Sequence, residues 1–162
     1  MKMKSRVTMV LAILGLVMAM VIPAISQEKS ADNMQLLREK IRADKKLFVA
    51  DNMQLTEKEA KAFWPVYDQY QDELFLLRSR TAKLIKDYAE AEKMTNDVAK
   101  KLLDELMIIE ALGPKLRQTY LPKFRKVLPE LKVVRYYQIE NKINAALMYE
   151  LAANIPLMKT AK

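Results

Sequence analysis

Leu55-Thr56-Glu57-Lys58-Glu59, followed by Phe63, Tyr67, Tyr70, Leu74, Leu77, Thr81, Leu84 and Tyr88, is the stretch on which the fold turns. Thr56 is placed to accept a hydrogen bond from the open amides of a first helical turn. Glu59, three residues on, is placed to reach back to it, the reciprocal arrangement of a capping box. The apolar residues behind them recur at alternating steps of four and three, so they line one side of a helix as a heptad-like seam. Such a seam demands a partner helix along its whole length. A helix from Thr56 to about Glu90 would be ~50 Å long at a rise of ~1.5 Å per residue, whereas a compact globule of this size has a radius of gyration of only ~14 Å. The expected architecture is therefore all-α and elongated: a hairpin-type layer of four helices whose second face is buried against another copy in a homodimer.

The flanking sequence supplies the other three helices. Upstream, Asp32 to Ala50 carries Met34, Leu37, Ile41 and Phe48 on one stripe. Downstream, Thr95 caps a helix with Asp97 near its positive end, and Val98, Leu102, Leu106, Ile109, Leu112, Leu116 and Tyr120 form its stripe. The last helix runs from about Glu130 to Ala153, with Val133, Tyr137, Ile139, Ile143, Leu147 and Leu151 inward and Pro156 marking its end. Prolines complicate this pattern. Pro65 predicts a bend near Lys61 to Trp64. Gly113-Pro114, Pro122 and Pro129 predict either a kinked helix or broken turns from Leu112 to Pro129, because each interior proline removes a backbone hydrogen bond. One hexapeptide, Ala31-Asp32-Asn33-Met34-Gln35-Leu36, recurs as Ala50-Asp51-Asn52-Met53-Gln54-Leu55, and the similarity fades beyond it. It reads as local duplication or chance rather than a structural repeat.

Lys2, Lys4 and Arg6 precede an uncharged, almost wholly apolar run from Val7 to Ile22, with Pro23, Ala24 and Ser26 behind it. That is the layout of a secretory signal over residues 1–26, cleaved after Ser26, leaving residues 27–162 as a single helical domain. An uncleaved anchor is the alternative, since the run approaches the ~17–25 residues that span a bilayer. Loss of three positive charges and no acid takes the formal charge from +8 to +5.

The chain has no Cys and no His. Thiol and imidazole nucleophiles, the histidine general base and Cys/His zinc sites are thereby excluded, and no GxSxG or P-loop motif is present. The six methionines outside the leader, 34, 53, 94, 107, 148 and 158, are scattered as core gap-fillers rather than clustered as copper ligands. No enzyme activity, metal or cofactor is expected.

Leu55-Thr56-Glu57-Lys58-Glu59 and Met94-Thr95-Asn96-Asp97-Val98 sit where the Spy/CpxP-like periplasmic family carries its paired LTxxQ motifs, and the chain resembles that family. Glu59 and Val98 stand at the glutamine positions, and Met94 replaces the second leucine. A closer resemblance, to a group of exported proteins of Gram-negative bacteria, rests on Ala60-Lys61-Ala62-Phe63-Trp64-Pro65-Val66-Tyr67, on Leu121-Pro122-Lys123-Phe124-Arg125-Lys126-Val127-Leu128-Pro129, and on the segments from Val134 to Lys142 and from Glu150 to Leu157. It speaks to fold and compartment rather than activity. The Spy-type resemblance implies a cradle-shaped antiparallel homodimer in the periplasm that holds unfolding clients without ATP, an ATP-independent chaperone-like or envelope-stress role.

Two candidate surfaces follow. Lys115, Arg117, Lys123, Arg125, Lys126, Lys132 and Arg135 face one acid, Glu130, across the same stretch, which makes a local patch able to attract acidic clients or anionic headgroups at a membrane surface. Its ordinary reading is a solvated face. Phe63, Trp64, Tyr67, Tyr136 and Tyr137 form a candidate apolar interface. The seam makes core packing the first expectation for those on it, and Trp64, beside it, the ring best placed to be exposed or buried in a dimer. Tyr136 and Tyr137 cannot both face inward on one helix. Expected partners are a second copy and unfolded or partly folded envelope proteins. A structural or regulatory module for one specific envelope sensor or membrane-surface component is the alternative. Nucleic acid is not an expected partner of an exported chain that offers no stacking platform.

Overall fold

A computed structural model describes residues 27–158, with side chains from residue 39 onward; the expected signal over residues 1–26 lies outside what is described, as do the side chains of Met34 and Leu37 of the first stripe. Among the described residues the fold is all-α, with no strand. Its four helices are α1 (Gln27–Met53), α2 (Glu57–Ala89), α3 (Asn96–Val127) and α4 (Glu130–Asn154). The chain divides into two compact units: Leu55–Val134, which holds α2, α3 and the first turn of α4, and a second made of the chain up to Gln54 and from Arg135 onward.

In the Leu55–Val134 unit, α2 starts at the capping box. The Glu59 amide donates to Thr56 Oγ1 at 3.3 Å and the Thr56 amide donates to Glu59 Oε2 at 2.8 Å. Glu59 also receives Lys132 Nζ from the first turn of α4. After the exposed turn from Glu90 to Thr95, α3 begins on its own cap, with the Val98 amide donating to Thr95 Oγ1 at 3.2 Å. Pro65 lies inside α2, and Pro114 and Pro122 lie inside α3. The broken-turn form allowed for Leu112 to Pro129 is therefore not adopted. α3 stays helical to Val127, and the break falls one residue later at Leu128, whose extended backbone (φ −135°, ψ 148°) is what a residue before proline requires. Pro129 then opens α4, its carbonyl accepting from the Val133 amide at 3.1 Å. Gly113 meets no steric demand, since a Cβ there would stand 4.0 Å from Leu77.

In the other unit, α1 buries Ile41, Lys45, Val49 and Met53 at successive steps of four, one face of a helix. Phe48, expected on the stripe, is half-buried, and Val49 takes its place. In this unit α4 buries Tyr136, Ile139, Glu140, Ile143 and Leu147. Tyr136, not Tyr137, is the inward ring, while Tyr137 and Leu151 are half-buried. The two stripes are tied at their polar members, Lys45 Nζ donating to Glu140 Oε2 at 2.9 Å, with side chains only 6% and 5% exposed. α1 ends where Gln54 turns into the left-handed region (φ 48°), a common way to leave a helix though costly for a residue with a Cβ. Arg135 donates to the Asn52 carbonyl, one of the groups the helix end leaves open. The repeated hexapeptide thus adopts two conformations, continuous helix at 31–36 and a helix end at 50–55.

Removing one member of a buried ion pair leaves an uncompensated charge, whereas replacing both by apolar groups is often neutral or better. Lys45→Met is therefore expected to cost about 3–5 kcal/mol in urea unfolding followed by circular dichroism, and Lys45→Met combined with Glu140→Leu to recover most of that loss. Single-variant costs as small as those of surface pairs would show that the two side chains are solvated.

Candidate functional site

The α2–α3 hairpin is packed unevenly along its length. Near the start of α2 and the end of α3, Phe63, Tyr67, Tyr70, Tyr120 and Phe124 are each 2% exposed or less. Phe63 and Phe124 lie 5.7 Å apart between centroids, Tyr70 and Tyr120 5.2 Å, and Tyr70 and Phe124 5.9 Å in an edge-to-face contact. These are the separations at which aromatic pairs attract beyond simple burial, by ~0.5–1.5 kcal/mol each. The Tyr120 hydroxyl donates to Glu73 Oε1 at 2.6 Å, and burial together with that carboxylate pushes the phenol up to about 12. Toward the turn the packing thins: Leu74, Leu77, Leu84 and Tyr88, all on the predicted seam, are only half-buried. Two helices side by side cover each other along one line and leave both flanks to solvent.

On one flank this leaves a cleft of about 390 Å³ lined by Glu73, Leu76, Leu77 and Arg80 of α2 and by Leu112, Lys115, Leu116 and Thr119 of α3. Leu76 stands at its lip, 68% exposed. Ile108, 47% exposed, is one turn before Leu112 on the same flank of α3. The Arg80 guanidinium forks onto both carboxylate oxygens of Glu105, which holds that carboxyl below its ordinary range. An apolar floor with a few convergent polar groups is the ordinary make-up of a ligand site.

The seven basic residues singled out from sequence do not form one free surface. Arg125 pairs with Glu130, Lys132 is half-buried against Glu59, and Arg135 belongs to the other unit and is engaged by the Asn52 carbonyl. Lys123 lies 4.0 Å over the Tyr120 ring, and Arg117 is half-buried. Lys115 and Lys126 are exposed. Helical spacing sets Lys115, Lys123 and Lys126 on one flank of α3 and Arg117 and Arg125 on another. Of the candidate apolar interface, Phe63, Tyr67 and Tyr136 are buried within the chain itself. Trp64 is half-buried in edge-to-face contact with Phe63 and Tyr67, and Tyr137 is half-buried against Tyr136.

Lys115 is thus the member of the sequence-derived set that lines the cleft. Leu76 and Ile108 fell off the predicted stripes. The signal that marks them is the width of the apolar runs Leu74-Phe75-Leu76-Leu77 and Leu106-Met107-Ile108-Ile109, since a helix face cannot bury four consecutive residues.

Among the described residues no helix is long and apolar enough to cross a membrane, and no group of three or more acidic side chains is placed to hold a metal. What the fold defines is an all-α chain with a two-helix cleft. Compared with family models, with curated proteins and with solved structures, the chain has no match in any of the three.

Glu59 joins the start of α2 to the first turn of α4, and the Lys132 ammonium, followed by the Thr56 amide, holds its carboxyl at about 2 against 4.5 for a free glutamate. A depressed carboxyl stabilises the fold above the unfolded value and loses that contribution as pH falls toward the folded value. Glu59→Gln keeps an acceptor for the capping box but no charge for Lys132. The stability difference between wild type and Glu59→Gln is therefore expected to be constant above about pH 5.5, to shrink below that, and to be largely lost as pH falls through about 2. A difference independent of pH across that window would remove the charge from the account.

Proposed function

We propose that the chain is an exported, non-enzymatic binding protein of the periplasm. It works as a homodimer and holds apolar segments of unfolded or partly folded envelope proteins without nucleotide. The observation that carries this reading is the open apolar cleft on the thinly packed flank of the α2–α3 hairpin, with Leu76 and Ile108 exposed beside it. Leaving large apolar side chains in water has a cost, and contiguous exposed apolar surface on a folded protein commonly marks a place where another molecule binds. Such a grip is weak and non-directional, which suits many clients and needs no chemical step. Exposed Leu103 and Met107, one turn apart on a different flank of α3, offer apolar surface to a second copy.

A chaperone of this kind suppresses aggregation of a reduced or heated model client at near-stoichiometric ratios without ATP. Leu76→Asp combined with Ile108→Asp, both exposed and so expected to leave the fold intact, should weaken that suppression severalfold. If wild type at several-fold excess leaves client aggregation unchanged, the proposal fails. A single saturable partner in a periplasmic pull-down would then favour a module dedicated to one envelope component.

A further inference from the structure

The cleft has a polarity that holding apolar segments does not use. Of the four polar side chains on its rim, three are engaged within the chain: Glu73 accepts the Tyr120 hydroxyl, Arg80 forks onto Glu105, and the Thr119 hydroxyl donates to the Lys115 carbonyl. The fourth is the Lys115 ammonium, which is exposed and, among the described residues, has no ion-pair partner. Nothing acidic lies near it on α3: from Ala111 to Val127 that helix carries Lys115, Arg117, Lys123, Arg125 and Lys126 and not one Asp or Glu. The negative end of the helix dipole accounts for Arg125 and Lys126 in the last turn. It does not account for Lys115, about three turns earlier, because the dipole acts only within the final turn.

Apolar floor and lone cation lie side by side. Leu76, Leu77, Leu112 and Leu116 offer a strip for a hydrocarbon chain, extended by Ile108 one turn on, and Lys115 stands over it as a single positive charge. We infer that the cleft binds a single-chain fatty carboxylate, its hydrocarbon on the leucines and its carboxylate on Lys115. One ammonium matches one monoanion. A phosphate head carries a charge of about −1.5 to −2 and asks for a second cation, but the other cation of the cleft, Arg80, is already paired with Glu105, and Glu73 adds a carboxylate. This ligand would occupy the same leucines as a client, but its binding does not require that clients are held there.

The test is calorimetric titration of the full chain with dodecanoate, dodecyl phosphate, dodecyl maltoside and dodecyltrimethylammonium, each below its micellar concentration. Dodecanoate is expected to saturate one site per chain and to bind at least about tenfold more tightly than the neutral and cationic chains. Shortening it by two carbons should weaken binding by about tenfold, the effect of two fewer buried methylenes. Lys115→Glu should weaken dodecanoate about tenfold or more and leave dodecyl maltoside unchanged. Leu76→Asp, at a position 68% exposed, should weaken dodecanoate without loss of helicity. Equal binding of anionic and cationic chains, tighter binding of dodecyl phosphate, indifference to Lys115→Glu, or no saturable binding of dodecanoate would each overturn the inference.

Discussion

Five buried rings decide where α2 and α3 meet. Phe63, Tyr67 and Tyr70 come from the first turns of one helix, and Tyr120 and Phe124 from the last turns of the other. Large rings set the spacing of the two backbones at that end, and the Tyr120 to Glu73 hydrogen bond fixes their register. Beyond it Leu74, Leu77, Leu84 and Tyr88 of the seam are only half-buried, and the smaller Ala82 and Ile109 are what stays covered, so the hairpin keeps its line of contact with less cover. The cleft is a consequence of that change. With no cysteine in the chain, no cross-link substitutes for the packing.

Much of this was legible in the residues. The capping boxes and caps at Thr56 and Thr95 are local chemistry, complete within four residues, and both form as their spacing predicts, Thr56 with the full reciprocal box. The four-and-three seam of α2 correctly marked Phe63, Tyr67 and Tyr70 as core. The prolines left a kinked helix and broken turns both open. An interior proline costs ~3 kcal/mol or more in an isolated helix, yet α3 continues through Pro114 and Pro122, because Ile109, Tyr120 and Phe124 on either side are anchored by packing that local propensity does not register.

Other features were not legible for a physical reason. Lys45 sits on a buried stripe only because Glu140, far along the chain, arrives opposite it, and no periodicity reveals a partner at that separation. Tyr136 and Tyr137 differ by one position on a helix, a rotation that pattern alone resolves poorly, and the inward place went to Tyr136. The basic patch illustrates the converse. Seven like charges in one stretch suggest a surface, but side-chain pairing with Glu59 and Glu130 and the geometry of α3 divide them, leaving Lys115 at a place where chemistry converges.

The central claim is that aromatic packing holds one end of the α2–α3 hairpin firmly while the other end stays lightly covered. Residue-resolved amide hydrogen exchange under native conditions tests it most directly, since protection follows the local free energy of opening. The account predicts the slowest exchange at residues 63–71 and 116–124, falling by about tenfold or more toward the turn between Glu90 and Thr95. Uniform protection along both helices, or slowest exchange beside that turn, would contradict it.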